Sequence, residues 1–310
     1  MHPDLVQGTT PPPAPEGFNA GEVIIGHVSN SSAEHPLIRL PTIFGIDFSV
    51  TKHVFMLWVV AAGLFLLVTW IVRRYAKSDR AVPGKMGSLL EIAVEFVRDG
   101  IVEPYVGHHW AKTWTPLLLS LFFFILFANA IGLVPMFDVL ALVDRWGLHT
   151  ADGSFVKRLL HGGTTSTGNY NVTAGLAVVT FVTIIIAGSR AHGFFEHWKN
   201  MVPKGLPLVV TIFLIPIEII GLLVRPFALT MRLAANMTGG HIALLAILSF
   251  VFIFTEMLHT SIAGIGVGLV FSVPLAAAIS GLEMIVVLVQ AYVFTLLSAV
   301  FIGMAIHADH

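Results

Sequence analysis

The stretch RLAANMTGGH, residues 232–241, lies inside an apolar run from Leu206 to Leu258 in which charge is scarce. An arginine at bilayer centre costs about 2.5–3.5 kcal/mol on insertion scales. Its guanidinium does not deprotonate in proteins, so there is no neutral form to retreat to. Arg232 must therefore face protein, water or an anion. Glu218, Arg225 and Arg232 are seven apart. On an α-helix that spacing drifts by only about 20° per heptad, which puts all three near one stripe. Asn236 and Gly239 continue the stripe, and Ala228 and Ala235 flank the arginine. Small residues of this kind let a second helix come close. His241 is nine positions on, about 180° around and about 13.5 Å along. One helix can thereby keep a charge barrier apart from a proton-handling group. Glu283 and Gln290 share a face further on, extended by Ser280 and Ala276. An acid in apolar surroundings is a candidate proton relay.

Each of these residues has a plainer reading. Arg225 fits a water-filled crevice or a structural pair with Glu218. Arg232 fits a structural ion pair, and Glu283 a structural partner for His241. Asn236, Gln290, Asn129 and Asn171 all suit interhelical hydrogen bonding. Glu256 and His259 fall at a helix end, where water solvates them. His108, His109, His149 and His161 read as solvated loop histidines.

The elements that position these groups follow from composition. The 310 residues are 56% hydrophobic and 11% charged, with net charge −1 and no cysteine. Soluble domains carry about 25% charged residues. The apolar runs are long enough to cross a hydrocarbon core of roughly 30 Å and lack the period-two alternation of a membrane barrel. The fold class is thus an all-α polytopic membrane protein in a lipid bilayer. Spans are expected at about 54–74, 114–137, 172–190, 205–258 and 262–306 of a single membrane domain, 54–310, behind an external tail, 1–53. The opening MHPDLVQGTTPPPAPEGF has neither the basic nor the apolar region of a signal peptide and reads as extended or disordered.

The last two spans are too long for one upright helix each. A helical run of 50 residues reaches roughly 75 Å, so both are expected to be strongly inclined. Pro207, Pro216 and Pro226 are positioned to kink the first, and Gly264, Gly266 and Gly268 to mark the turn into the second. Loops 73–113 and 190–205 hold ten of the seventeen Lys and Arg. Positive loops stay cytoplasmic. That places the N-terminus outside and, after five crossings, the C-terminus inside. In GSLLEIAVEFVRDGIVEP, Leu89, Ala93, Phe96, Val97 and Ile101 fall on one face, with Glu91, Glu95, Arg98 and Asp99 elsewhere. The segment, about 86–103, reads as a cytoplasmic amphipathic helix lying on the membrane or on a partner, or packed on the protein's own loops. Ser88 with Glu91 fits a capping box, and Pro104 fits its end.

Other chemistry finds no support. There is no zinc-binding H-E-x-x-H, no G-x-S-x-G and no Walker A loop. Without cysteine there is no disulfide or thiolate site. The histidines show no paired set on two helices for haem, and near-neutral charge gives no case for nucleic acid. No cofactor or metal is expected. The N-x-T pattern at Asn171 and Asn236 matches glycosylation, the second by chance within the membrane.

RPFALTMRLAANMTGGH resembles the signature of subunit a of F-type ATP synthase, on Arg232, Leu233, Ala234, Ala235, Asn236 and Met237. PIEIIGLLVRPFAL is similar to its preceding acidic and proline positions, at Glu218 and Pro226. LEMIVVLVQAYVFTLL resembles its last helix, with Gln290 at the recurring glutamine. VPGKMGSLLEIAVEFV, FANAIGLVP and YNVTAGLAV resemble the amphipathic helix and the two middle spans, so the likeness covers about residues 50–306. His241 and Glu283 stand exchanged relative to some bacterial members, as in mitochondrial ones, which supports contact between them. Gly132 replaces an acid common near the second span.

The resemblance implies a non-catalytic, proton-translocating stator subunit. Its partners would be a ring of c subunits, each with one membrane carboxylate, the b-subunit peripheral stalk and the rest of the F-type ATP synthase. Protons would pass Asn171, Asn129, His241 and Glu283 to the ring and leave near Glu218. Arg232, positioned by Asn236 and Gln290, would separate the two half-channels. The expected location is a bacterial plasma membrane, since no Arg- and Ser-rich transit segment opens the chain. The alternative is a stand-alone secondary transporter or proton channel using the same buried charges. An intramembrane enzyme would need a nucleophile or metal set that the sequence lacks.

Overall fold

In a bilayer the backbone must satisfy its own hydrogen bonds, so apolar runs become helices. The computed structural model describes residues 19–28, 36, 38–43, 46–47, 49–77, 84–133, 144, 166–199 and 207–307. The proline-rich opening, most of the 138–171 loop with His149 and His161, and residues 308–310 lie outside them. Helix α1 (Ala20–Val28) packs on a later long helix, and a minimal antiparallel hairpin, β1 (Thr42–Ile43) with β2 (Ile46–Asp47), follows. Then come α2 (Lys52–Ala76), α3 (Lys85–Val97), a π-helical turn (Arg98–Val102), α4 (Glu103–Val106) and α5 (His108–Leu133). A 3₁₀ turn (Ser166–Gly168) leads into α6 (Tyr170–His192) and α7 (Phe194–Lys199). The chain ends in α8 (Leu208–Met257), α9 (Ser261–Val267), a second π turn (Gly268–Ser272) and α10 (Val273–Ile306). Five of these stretches are long and apolar enough to cross a membrane: α2, α5, α6, α8 and the combined α9–α10 segment. The architecture is the expected all-α polytopic one.

Several local expectations need correction. The amphipathic helix starts at Lys85, with Gly84 at its N-cap. Ser88 donates its backbone N–H to the Gly84 carbonyl, 2.9 Å away, so it lies inside the helix and is not the N-cap residue. Pro104 does not end the run either. It occupies the first turn of α4, where a missing N–H costs little, and the π turn before it absorbs the register change. Gly107 ends the run instead, at φ 84°, and α5 starts at once, six residues ahead of the expected span. The predicted apolar face is divided: Val97 and Ile101 are wholly buried, while Leu89 and Phe96 are exposed.

Pro216 and Pro226 sit inside α8, yet it runs unbroken over 50 residues. Thr230 donates its hydroxyl to the Pro226 carbonyl at 2.9 Å, one of many such bonds by which buried hydroxyls in this chain satisfy themselves. The turn out of α8 is made at Leu258–Thr260, with His259 in the left-handed region at φ 51°. Of the glycines after it, Gly264 and Gly268 serve close approach, whereas Gly266 faces open space. A Cβ on Gly264 would stand 1.6 Å from the Thr255 hydroxyl and 2.9 Å from the Val251 carbonyl oxygen.

Helix α10 is the centre of the bundle and packs on α4, α5, α6 and α8. The core draws on Leu118, Ile125, Ile184, Leu233, Phe294 and Ile302. Where α4 crosses α10, a Cβ on Gly303 would lie 2.2 Å from the Tyr105 carbonyl oxygen, so no other residue fits without moving the backbone. Thr180 of α6 and Ser298 of α10 join hydroxyls at 3.3 Å, both buried. Burial is uneven: 44% of the most apolar window in the α9–α10 segment lies inside the protein, against 11% for α8. The longest helix is the one whose surface the chain itself covers least.

Helix α7 folds back on α6. The His197 ring lies against Gly188, where a Cβ would fall 2.2 Å from its Cε1 and Nδ1. Neither ring nitrogen has a partner among the described residues. Burial, and next the neighbouring His192, hold the imidazole below its ordinary value of 6.5. A depressed histidine favours the neutral form, so the folded state gains stability as pH rises through the window just below the unfolded value. Acidification from about pH 8 to about pH 5.5 is expected to lower the melting temperature of the detergent-solubilised protein more than that of His197→Leu. Parallel losses in the two proteins would contradict this.

Candidate functional site

Two sides of α8 have different neighbours. Leu229, Leu233, Ala234 and Met237 are buried against the bundle. The other side exposes Ile220, Phe227 and Met231, and among them Arg232, Ala235, Asn236 and Gly239. The guanidinium of Arg232 makes no ion pair among the described residues. Its backbone is held from behind. Gln290, 4% exposed on α10, donates Nε2 to the Arg232 carbonyl oxygen at 3.3 Å. A carbonyl has a second lone pair, so this bond adds to the intrahelical one. Gln290 thus touches the main chain of Arg232. Asn236 stands one turn on, exposed on the same face as the arginine.

The second group forms where α8 and α10 cross at Gly240. A Cβ there would stand 2.1 Å from Glu283 Oε1 and 3.0 Å from its Cδ. The bare backbone of residue 240, next in sequence to the half-buried His241, is what lets the carboxyl lie against α8. Gly240 was not singled out in the sequence. Its signal was its place directly before His241 in a run of two glycines.

The third group lies nearer the start of α8. Glu218 Oε1 and Arg225 Nη2 are 3.7 Å apart, with side chains 37% and 19% exposed. The Arg225 guanidinium carbon sits 5.3 Å from the ring centroid of Phe301 on α10. The heptad spacing does bring these two charges together. Along α8, Glu218 and His241 fall on opposite sides of Arg232, roughly 21 Å and 13.5 Å away at 1.5 Å per residue.

The fourth is a polar knot around the 3₁₀ turn. Asn129 of α5 is wholly buried, and its Oδ1 accepts from the Thr167 hydroxyl at 2.6 Å. Its amide nitrogen has no partner among the described residues. Thr238 of α8 donates its hydroxyl to the Gly168 carbonyl at 3.1 Å, three residues before His241. Asn171 stays outside this knot. It is exposed in the first turn of α6, where its N–H donates to the capping Asn169 side chain at 2.8 Å. Sequence reasoning missed Thr167 and Thr238, because a hydroxyl is unremarked until its distant partner is known. Glu256 and His259 do sit at the helix end, with the His259 N–H donating to the Glu256 carbonyl at 3.2 Å.

The family described as ATP synthase A chain matches residues 54–303. ATP synthase subunit a 2 of Chlorobium luteolum is 37% identical over 98% of this chain and 81% of its own length. ATP synthase subunit a of Chloroherpeton thalassium is 38% identical, over 88% of this chain and 72% of its own. The Myxococcus xanthus protein of the same name is 37% identical, over 86% and 75%. The matched span takes in all four polar groups on the long helices. The chain belongs to the ATP synthase A chain family.

Proposed function

We propose that this chain is the proton-conducting stator subunit of a rotary ATP synthase, working against a ring of c subunits. The observation that carries the reading is Arg232, a permanent cation on an exposed apolar face with no counter-ion among the described residues. Such a face calls for an apolar partner that brings an anion at membrane depth. A ring of helices, each with one carboxylate, meets both demands.

Protons enter from the outer side past Asn171 and Asn129 and reach His241 and Glu283. From there they protonate a ring carboxylate, which then passes into lipid as a neutral acid. After nearly a full turn it reaches the second half-channel, near Glu218, and gives up its proton. Arg232 stands between the two. Its charge favours the ionised carboxylate, so it drives proton loss and blocks direct passage. The bond from Gln290 fixes the arginine's backbone, and Asn236 lines the same face. The driving force includes about 2.3 kcal/mol per charge for each 100 mV of membrane potential. The subunit itself makes no covalent bond. It works in a bacterial plasma membrane, and the positive charge of its loops favours an N-terminus outside and a C-terminus in the cytoplasm. The exposed half of α3 is free to meet the b-subunit stalk.

Arg232→Ala, in membrane vesicles carrying the whole synthase, is expected to abolish ATP-driven proton pumping while subunit content stays normal. Pumping at the unaltered rate would overturn the reading. Gln290→Leu removes one hydrogen bond to the arginine's backbone and is expected to slow pumping per assembled complex by about three- to tenfold. An unchanged rate per complex, with only less complex assembled, would make Gln290 structural glue.

A further inference from the structure

Arg225 takes no part in the proton path above, yet it is a second permanent cation on an apolar helix and needs a physical reason. Its contact with Glu218 is unusual for an arginine. Arginine and carboxylate ordinarily form short, often two-pronged hydrogen bonds, with N–H···O distances of about 2.7–3.2 Å. Here the nearest pair of atoms is 3.7 Å apart. The two charges attract, but the guanidinium does not occupy the carboxylate. It also lies over the ring of Phe301, its carbon 5.3 Å from the centroid. Phe301 belongs to α10 and packs against the core, so it is a fixed platform.

We propose that Phe301 and Arg225 are positioning residues for Glu218. The ring holds the guanidinium against α10, close enough to balance the carboxylate's charge and too far to fill its acceptor sites. Both oxygens of Glu218 therefore stay open to water and to an arriving proton, which the carboxylate takes up and passes on to solvent. A lysine at 225 would not serve, because an ammonium is a strongly hydrated point charge without a planar face to stack. This inference rests on the reading of Glu218 as the inner proton acceptor.

The test uses vesicles carrying the complete synthase, with pumping rate and subunit content measured together. Phe301→Leu is expected to slow pumping about tenfold at normal assembly, and Phe301→Tyr, which keeps a ring face, to stay within about twofold of the native rate. Arg225→Lys is expected to fall with Phe301→Leu. In a Glu218→Asp background the carboxylate is withdrawn by one methylene, so Phe301→Leu should cost less than about twofold more. Equal rates for Phe301→Leu and the native protein, or losses that multiply fully in the Glu218→Asp background, would overturn the bracket. Glu218→Gln separates the two ideas. If it pumps normally, the exit reading fails and takes the bracket with it. If it is impaired while Phe301→Leu is not, the bracket alone fails.

Discussion

The structure is organised around a charge that cannot be neutralised. Arg232 keeps its proton under all relevant conditions, sits mid-way along the longest apolar helix and faces outward, with no ion-pair partner among the described residues. A soluble protein would hide such a group in water, and a self-contained membrane protein would pair it. This chain instead leaves it on a surface of Ile220, Phe227, Met231 and Ala235. The electrostatic cost of that arrangement falls when an anion arrives, and in the function proposed above that anion is a ring carboxylate.

The acidic groups of the site lie away from it along α8. Glu218 with Arg225 lies on one side along α8, and Glu283 with His241 on the other. Both groups are built from α8 and α10 together, so the crossing of these two helices sets their geometry. Bare backbone makes the crossing possible: Gly240 admits the Glu283 carboxyl, and Gly264 admits Thr255 at the hairpin. Gln290 adds a hydrogen bond across the same interface, directly at residue 232. The arginine's backbone is rigid from behind while its side chain meets the outside.

The helices and the charged stripe were legible in the sequence because both depend on local pattern. Long apolar runs in a chain with 11% charged residues leave no soluble alternative, and heptad spacing on an unbroken helix places Glu218 and Arg225 within reach. What was misread depended on context. Ser88 and Glu91 carry the letters of a capping box, but the helix had begun at Lys85. Pro104 looks like a terminator until a π turn shifts the register ahead of it. Glycines 264 and 268 read in the sequence as marks of a turn, whereas here they supply the space for a neighbouring helix. Thr167 and Asn129 are 38 residues apart, and no short-range pattern links them. Gln290 was expected beside Arg232, but which atom it would hold could be seen only with the helices assembled.

The central claim is that the Arg232 face of α8 meets the carboxylates of a ring. The chain contains no cysteine, so a single introduced thiol reports on one position alone. The decisive measurement is oxidative cross-linking, in native membranes, between a cysteine on α8 and one placed a turn from the membrane carboxylate of the c subunit. The exposed Ala235→Cys should cross-link rapidly, and Ala234→Cys, at the adjacent and wholly buried position, should not. A cross-link that fails at 235, or forms equally at both positions, would contradict the account.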